Sequence, residues 1–435
     1  MKKLIAFLFP IFCLSQTYKP IDTADYTQRQ ELQKKYKKEF DVFNKNLETQ
    51  FSGKEYRKLK EIYSSNQEDF LWEINKKRYL FYPDLQQYIE SIVLEITTKN
   101  KLNLSDNHFL ISKDVMPNAF SIGFKTTSIN FGLLDYLENE DQLASIICHE
   151  LGHQILNHSE NRILKSVKRE FSEEFKEKTH ALKEQKYNQN KVAFKMLKEI
   201  LLKDSEENRK AEMSADSLGY TLYQNTKYAP AEFCKALRIL KELDDEAEKN
   251  KDEMLLKKED YEKIFSLPNL SFKESWLKLE DFSEYNYDLY KEKINKDSLK
   301  SHPDLELRIN KINALFPKSK IISEIEKFPS SEFEKYSKIA NMEAIPNLYY
   351  TDEIGYSLYW ALFRYKSNPE DEYSKKWIGN CFSKLYKAKK EYQLNKYIDQ
   401  LNPKEQSKNY FQFLNFLWNL NLNEYQKIAE YYTTN

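Results

Sequence analysis

The stretch IICHELGHQILNH, residues 146–158, decides how this chain is read. Leu143, Ile146, Ile147, Leu151 and Ile155 recur around one face, so the sequence predicts a helix from Leu143 to His158. Residues four apart on a helix lie one above the other, roughly 5–6 Å apart. His149 and His153 have that spacing and can point imidazole nitrogens at one metal ion. Glu150 follows the first of them, about 100° further round the helix. Its carboxylate can there reach a water held at the metal and act as general base. The plain alternative is a solvent-facing helix that carries two histidines.

A catalytic zinc ion takes three protein ligands and leaves one position open. One known arrangement draws the third ligand from a histidine ten residues after the first, with a glycine between. Leu156 and Ser159 occupy those positions, so that arrangement fails. The segment RKAEMSADSLG (209–219) offers another, because Glu212 and Asp216 are again four apart on a helix expected over 209–224. Glu212 can complete the metal site. Asp216 can accept a hydrogen bond from the far nitrogen of a ligand histidine and fix its tautomer. In so charged a chain the bland reading of this pair is a solvated helix face. A purely structural zinc site would use four protein ligands and has no need of a neighbouring glutamate.

Four histidines remain. His158 falls at the expected helix end, and His108 and His180 read as surface residues. His302 opens SHPDLELRI, with Pro303 at a favoured first-turn position. It is either a simple helix-start residue or a residue at the rim of the zinc site. In the second case it hydrogen-bonds the oxyanion formed on water attack, or occupies the open metal position and keeps the enzyme latent.

The chain of 435 residues is long enough for two or three domains, and 68 basic residues balance 68 acidic ones. That balance gives no argument for nucleic acid or an anionic membrane as partner. Only 7 glycines are present, which fits a high helix content. The N-terminus, MKKLIAFLFPIFCLSQTYKP, has two lysines before an apolar run from Leu4 to Leu14, the pattern of a cleaved secretory signal. The run is shorter than the about 20 residues a spanning helix needs. Cleavage is expected near Ser15, and Pro10 stands where a lipoprotein signal would carry Leu before Cys13. The mature chain is then exported, periplasmic or secreted, and at most peripheral to a membrane. Its three remaining cysteines, Cys148, Cys234 and Cys381, form no disulfide framework.

Helical spacing marks residues 82–100, strands are expected at 108–115 and 127–134, and PNAFSIGFK reads as the turn before the second strand. Residues 162–210 should form one or two exposed amphipathic helices. Pro317, Pro329 and Pro346 suggest a linker over 317–350. Aromatic-rich helices follow over 351–435, either a tetratricopeptide-like array or an ordinary helical cap.

With these motifs in order, the chain resembles the CAAX prenyl protease, HtpX and BepA family of zinc metallopeptidases over roughly residues 80–315. NAFSIG (118–123), HELGH (149–153), EMSAD (212–216) and SHPDLELRI (301–309) carry the resemblance. It implies a mainly α (α+β) fold: a gluzincin metallopeptidase domain with a small β-sheet, whose edge strand receives substrate as an added strand. It places Asn118 near that strand as a substrate contact, and His302 at the transition state or over the zinc. SIGFKTT replaces the Pro or Gly usual after Asn-Ala-Phe, and the 162–210 insertion is too charged for a membrane-embedded relative. The expected organisation is a signal peptide (1–15), a metallopeptidase domain (16–316), a linker (317–350) and a helical C-terminal region (351–435).

The expected function is an exported zinc endopeptidase acting on unfolded or misassembled polypeptides. His149, His153 and Glu212 hold one zinc ion, Glu150 and His302 act in catalysis, and Asp216 supports a ligand. The alternative is a chaperone or assembly factor with latent protease activity, using its C-terminal helices to bind a protein partner.

Overall fold

A computed structural model describes residues 18–185, 187–249, 256–279, 305–320, 328–403 and 406–434. The signal-like segment and His302 lie outside the described residues. The chain opens with two long helices, α1 (Tyr26–Gln50) and α2 (Gly53–Asn75), followed by α3 (Pro83–Asn100). Three short strands come next: β1 (His108–Ser112), β2 (Ala119–Gly123) and β3 (Thr126–Asn130). After α4 (Leu133–Tyr136) stand α5 (Glu140–Ile155), α6 (His158–Phe171), α7 (Glu173–Glu184), α8 (Gln189–Tyr223) and α9 (Pro230–Lys249). Then come α10 (Lys258–Phe265), α11 (Leu305–Leu315), α12 (Ser331–Tyr350), α13 (Ile354–Ser367), α14 (Glu372–Lys390), α15 (Lys408–Asn419) and α16 (Leu422–Thr434). Among the described residues the fold is mainly helical with one small sheet, as expected.

The sheet has strand order β1-β3-β2, with β1 parallel and β2 antiparallel to β3. The segment read as a turn therefore contains a strand. The reversal is confined to Phe124 and Lys125, both in the left-handed region at φ 50° and 53°. Neither residue favours that conformation. The Phe124 ring packs 4.8 Å from Phe40 and 5.1 Å from Phe43, and this tertiary anchor outweighs the local cost.

Asn130 N–H donates to the Asn118 carbonyl at 2.9 Å, so Asn118 and, two residues on, Phe120 turn their backbone groups towards β3. Ala119 and Ser121 then turn theirs to the outer edge of β2. This edge lies against α5.

The main core joins α3, the sheet, α5, α9, α11 and the C-terminal part of α8 through Ile89, Ile129, Ile147, Leu151, Tyr220, Phe233 and Ile312. A second core, around Phe265, Trp276, Phe382, Phe416 and Tyr425, joins α10 to α13–α16. Helix α12 serves both, with Phe333 and Tyr336 in the first and Ile345 in the second.

Where the sequence suggested a linker, residues 331–350 are thus a packed helix with Pro346 inside it. Pro346 has no N–H to give to the carbonyl of Met342. The Tyr373 hydroxyl donates to that carbonyl instead, which lets the helix run on. Among the described residues no helix is long and apolar enough to cross a membrane.

Candidate metal and catalytic site

The site forms where α5 lies on α8. Asn139 caps α5, its side chain accepting the Gln142 N–H at 3.1 Å. The apolar stripe Leu143, Ile147 and Leu151 is wholly buried and fixes how α5 is rotated. The two helices meet backbone to backbone: a Cβ on Gly219 would lie 2.9 Å from His149 Cα. The 35-residue α8 runs through the break expected near 209, so Glu212 and Asp216 sit on a long continuous helix.

This contact brings His149, His153 and Glu212 together, with one ligand atom from each lying within 4.8 Å of the others. His149 Nε2 is 3.5 Å from Glu212 Oε2, and His153 Nε2 is 3.4 Å from Glu212 Oε1. The far nitrogen of His149, Nδ1, lies 2.9 Å from Asp216 Oδ1. Asp216 therefore holds the ring with Nε2 facing the cluster. Glu150 is buried beside them, its Oε1 4.0 Å from His149 Nε2. The Ser121 backbone amide on the outer edge of β2 faces the Glu150 carboxylate and favours its charged form.

Arg308 of α11 completes the arrangement. Its Nε and Nη2 each lie 2.7 Å from an Asp216 oxygen, and its Nη1 is 3.3 Å from Glu212 Oε2. Asp216 is 2% exposed and Arg308 6%, so this is a buried, forked ion pair. Burial alone would raise the Asp216 pKa, but the Arg308 fork and His149 hold it at about 2. Burial disfavours the charged form of His149, yet its bonds to Asp216 and Glu212 outweigh that and push it up to about 9. Burial, with the Glu212 charge adding to it, raises Glu150 to about 7. His153, buried and beside cationic His149, is lowered to about 3.

The donor set fits a divalent cation. Two imidazoles and a carboxylate suit zinc. Among the described residues, the three buried carboxylates of Glu150, Glu212 and Asp216 face the guanidinium of Arg308 and the imidazole of His149, a surplus of negative charge that favours a cation once His149 gives up its proton.

Asn118 is exposed, immediately before β2. His108 is not a plain surface residue: its Nε2 lies 3.0 Å from Glu39. The sequence reading gave no role to Arg308, to His158 or to the Ser121 amide. A signal for Arg308 was present, since it stands among Leu305, Ile309 and Ile312 on the apolar stripe of its helix, where a surface charge would not be placed.

Among curated proteins none matches the chain. The family model described as Peptidase family M48 matches residues 83–315, just over half of the chain. The match runs from the first residue of α3 to the last of α11 and takes in every side chain of the cluster.

Proposed function

We propose that this chain, which belongs to peptidase family M48 and so is a metallopeptidase, is an exported zinc endopeptidase that cuts unfolded or misassembled polypeptides. The observation that carries the reading is the convergence of His149, His153 and Glu212 on one point beside buried Glu150.

His149, His153 and Glu212 would hold the ion. Bound zinc would polarise the scissile carbonyl and bring the pKa of water towards about 7. Glu150 takes the proton from the attacking water and passes it to the leaving amine. A carboxylate raised to about 7 suits both transfers. Asp216 keeps the His149 ring turned, and Arg308 keeps Asp216 ionised and holds Glu212 in place. The outward backbone groups of Ala119 and the Ser121 carbonyl would offer a ladder to an extended chain; such pairing reads backbone and favours unfolded substrates. Asn118 would contact that chain at its end, and His302 would stabilise the oxyanion or cap the metal. The helices beyond 351 would bind a protein partner.

The test is cleavage of a loosely folded protein by the purified mature chain beside Glu150→Gln, with zinc assayed in both. Cleavage lost only in the variant, with zinc retained, is the expected result. A zinc-loaded wild type that cleaves nothing would favour the chaperone reading and make His302 the next residue to change.

A further inference from the structure

The two histidine ligands are supported in different ways. His149 rests on a carboxylate, Asp216. His153 rests on His158, whose Nδ1 lies 3.0 Å from His153 Nδ1, the rings edge to face at 4.9 Å. The other nitrogen of His158, Nε2, lies 3.1 Å from Ser214 Oγ. Ser214 Oγ in turn lies 2.9 Å from the Ala211 carbonyl oxygen.

The direction of the protons follows from the end of this chain. A carbonyl oxygen only accepts, so the Ser214 hydroxyl donates to Ala211 and its single proton is used. Ser214 Oγ then accepts from His158, which places the His158 proton on Nε2. His158 Nδ1 is left as a lone pair and accepts from His153 Nδ1–H. The remaining nitrogen, His153 Nε2, is thereby unprotonated, and it is the one that faces Glu212 at 3.4 Å and His149 Nε2 at 3.1 Å.

The backbone puts His158 there. In a straight helix a residue five positions on would point about 140° away from His153. Helix α5 instead ends at Ile155, and Asn157 takes the left-handed conformation, φ 52° and ψ 41°, before α6 begins at His158. Asn tolerates that conformation better than other side-chain-bearing residues. The sharp reversal returns His158 to the His153 ring and to Ser214 on α8.

We infer that His158 is a positioning residue for the metal ligand His153, fixing its tautomer through a relay that runs over Ser214 to the Ala211 carbonyl. The inference rests on His153 being a ligand, and the experiment separates the two claims. Nitrogen-15 shifts of the His153 ring in the metal-free protein report its tautomer without any metal. Zinc affinity, by competition with a chromophoric chelator, reports the consequence.

In the wild type, His153 should carry its proton on Nδ1. In His158→Ala both tautomers should appear and zinc affinity should fall about 10–100-fold. His158→Gln keeps an acceptor for His153 and a donor for Ser214, and should restore most of the loss. Ser214→Ala leaves His158 in place without its acceptor and should lower affinity severalfold; it is the variant to read if His158→Ala does not fold. A His153 tautomer and zinc affinity unchanged in these variants would overturn the inference. A wild type that takes up no zinc would remove the zinc reading, and the tautomer would still decide the role of His158.

Discussion

Gly152 of α5 faces Ala215 of α8 so closely that a Cβ added to it would lie 2.6 Å from the Ala215 carbonyl oxygen. The obstructing atoms are backbone and cannot swing aside. His149 and His153 stand on one of these helices and Glu212 on the other, so this contact sets the spacing of the three proposed ligands. Gly152→Ala should part the helices and cost about 1–3 kcal/mol of stability. Zinc affinity should fall at least about tenfold, as for loss of a supporting contact around a metal site. Thermal unfolding and a zinc titration check both. Unchanged affinity would show that the spacing is set elsewhere.

Arg308 sets its guanidinium against two buried carboxylates, and Arg308→Met removes that charge and its forked contact with Asp216. The expected loss in the metal-free protein is about 3–5 kcal/mol. Arg308→Lys should recover only part, because an ammonium cannot make the two-pronged contact with Asp216. The sign with pH follows from Asp216, whose folded pKa is held at about 2 chiefly against burial by this fork. Its contribution is fully present above the unfolded carboxylate value of about 3.9 and is lost as pH falls towards 2. The gap between wild type and Arg308→Met in urea unfolding should therefore be widest near neutral pH and shrink below about pH 4.

Metal uptake should be coupled to proton release. In the metal-free protein His149 holds its proton up to about pH 9, because its bonds to Asp216 and Glu212 outweigh burial. A ligand nitrogen must be bare, so below that pH the metal displaces a proton. Apparent zinc affinity should rise by up to about tenfold per pH unit between pH 7 and 9, then level off. Titration calorimetry in two buffers of different ionisation enthalpy would count the proton. Affinity that is flat across this range would contradict the account.

Catalysis should carry an acid limb set by Glu150. The base works ionised, so kcat/KM falls as pH falls through its pKa. Burial brings that pKa to about 7, while the charge of Arg308 lowers it. A bound cation adds to the lowering and puts the limb at or below pH 7. Arg308→Lys, which keeps a charge at a greater distance, should move the limb upward relative to wild type. A limb that moves down in this variant would mean that another group sets it.

The helical period made α3, α5 and the site of Glu212 and Asp216 legible in the sequence, because buried stripes and four-residue spacings are local properties. Other features depend on contacts far along the chain. Strand β2 was hidden because its hairpin turn uses Phe124 and Lys125 in the left-handed region, and the Phe124 ring is anchored there by Phe40 and Phe43. Helix α12 was hidden behind Pro346, whose missing hydrogen bond is replaced by Tyr373. His158 looked like a helix-end residue because nothing local announces the left-handed Asn157 that turns it back. Arg308 could have been suspected from its apolar neighbours, but its partners, Asp216 and Glu212, lie about ninety residues away.

The most direct test of the central claim is to strip the purified chain of metal with a chelator and then return one equivalent of zinc, following cleavage of a reduced, unfolded protein. The account predicts that wild-type cleavage disappears on stripping and returns with the single equivalent. Glu150→Gln should take up the same zinc and cut nothing. Cleavage by the stripped wild type, or by zinc-loaded Glu150→Gln, would contradict it.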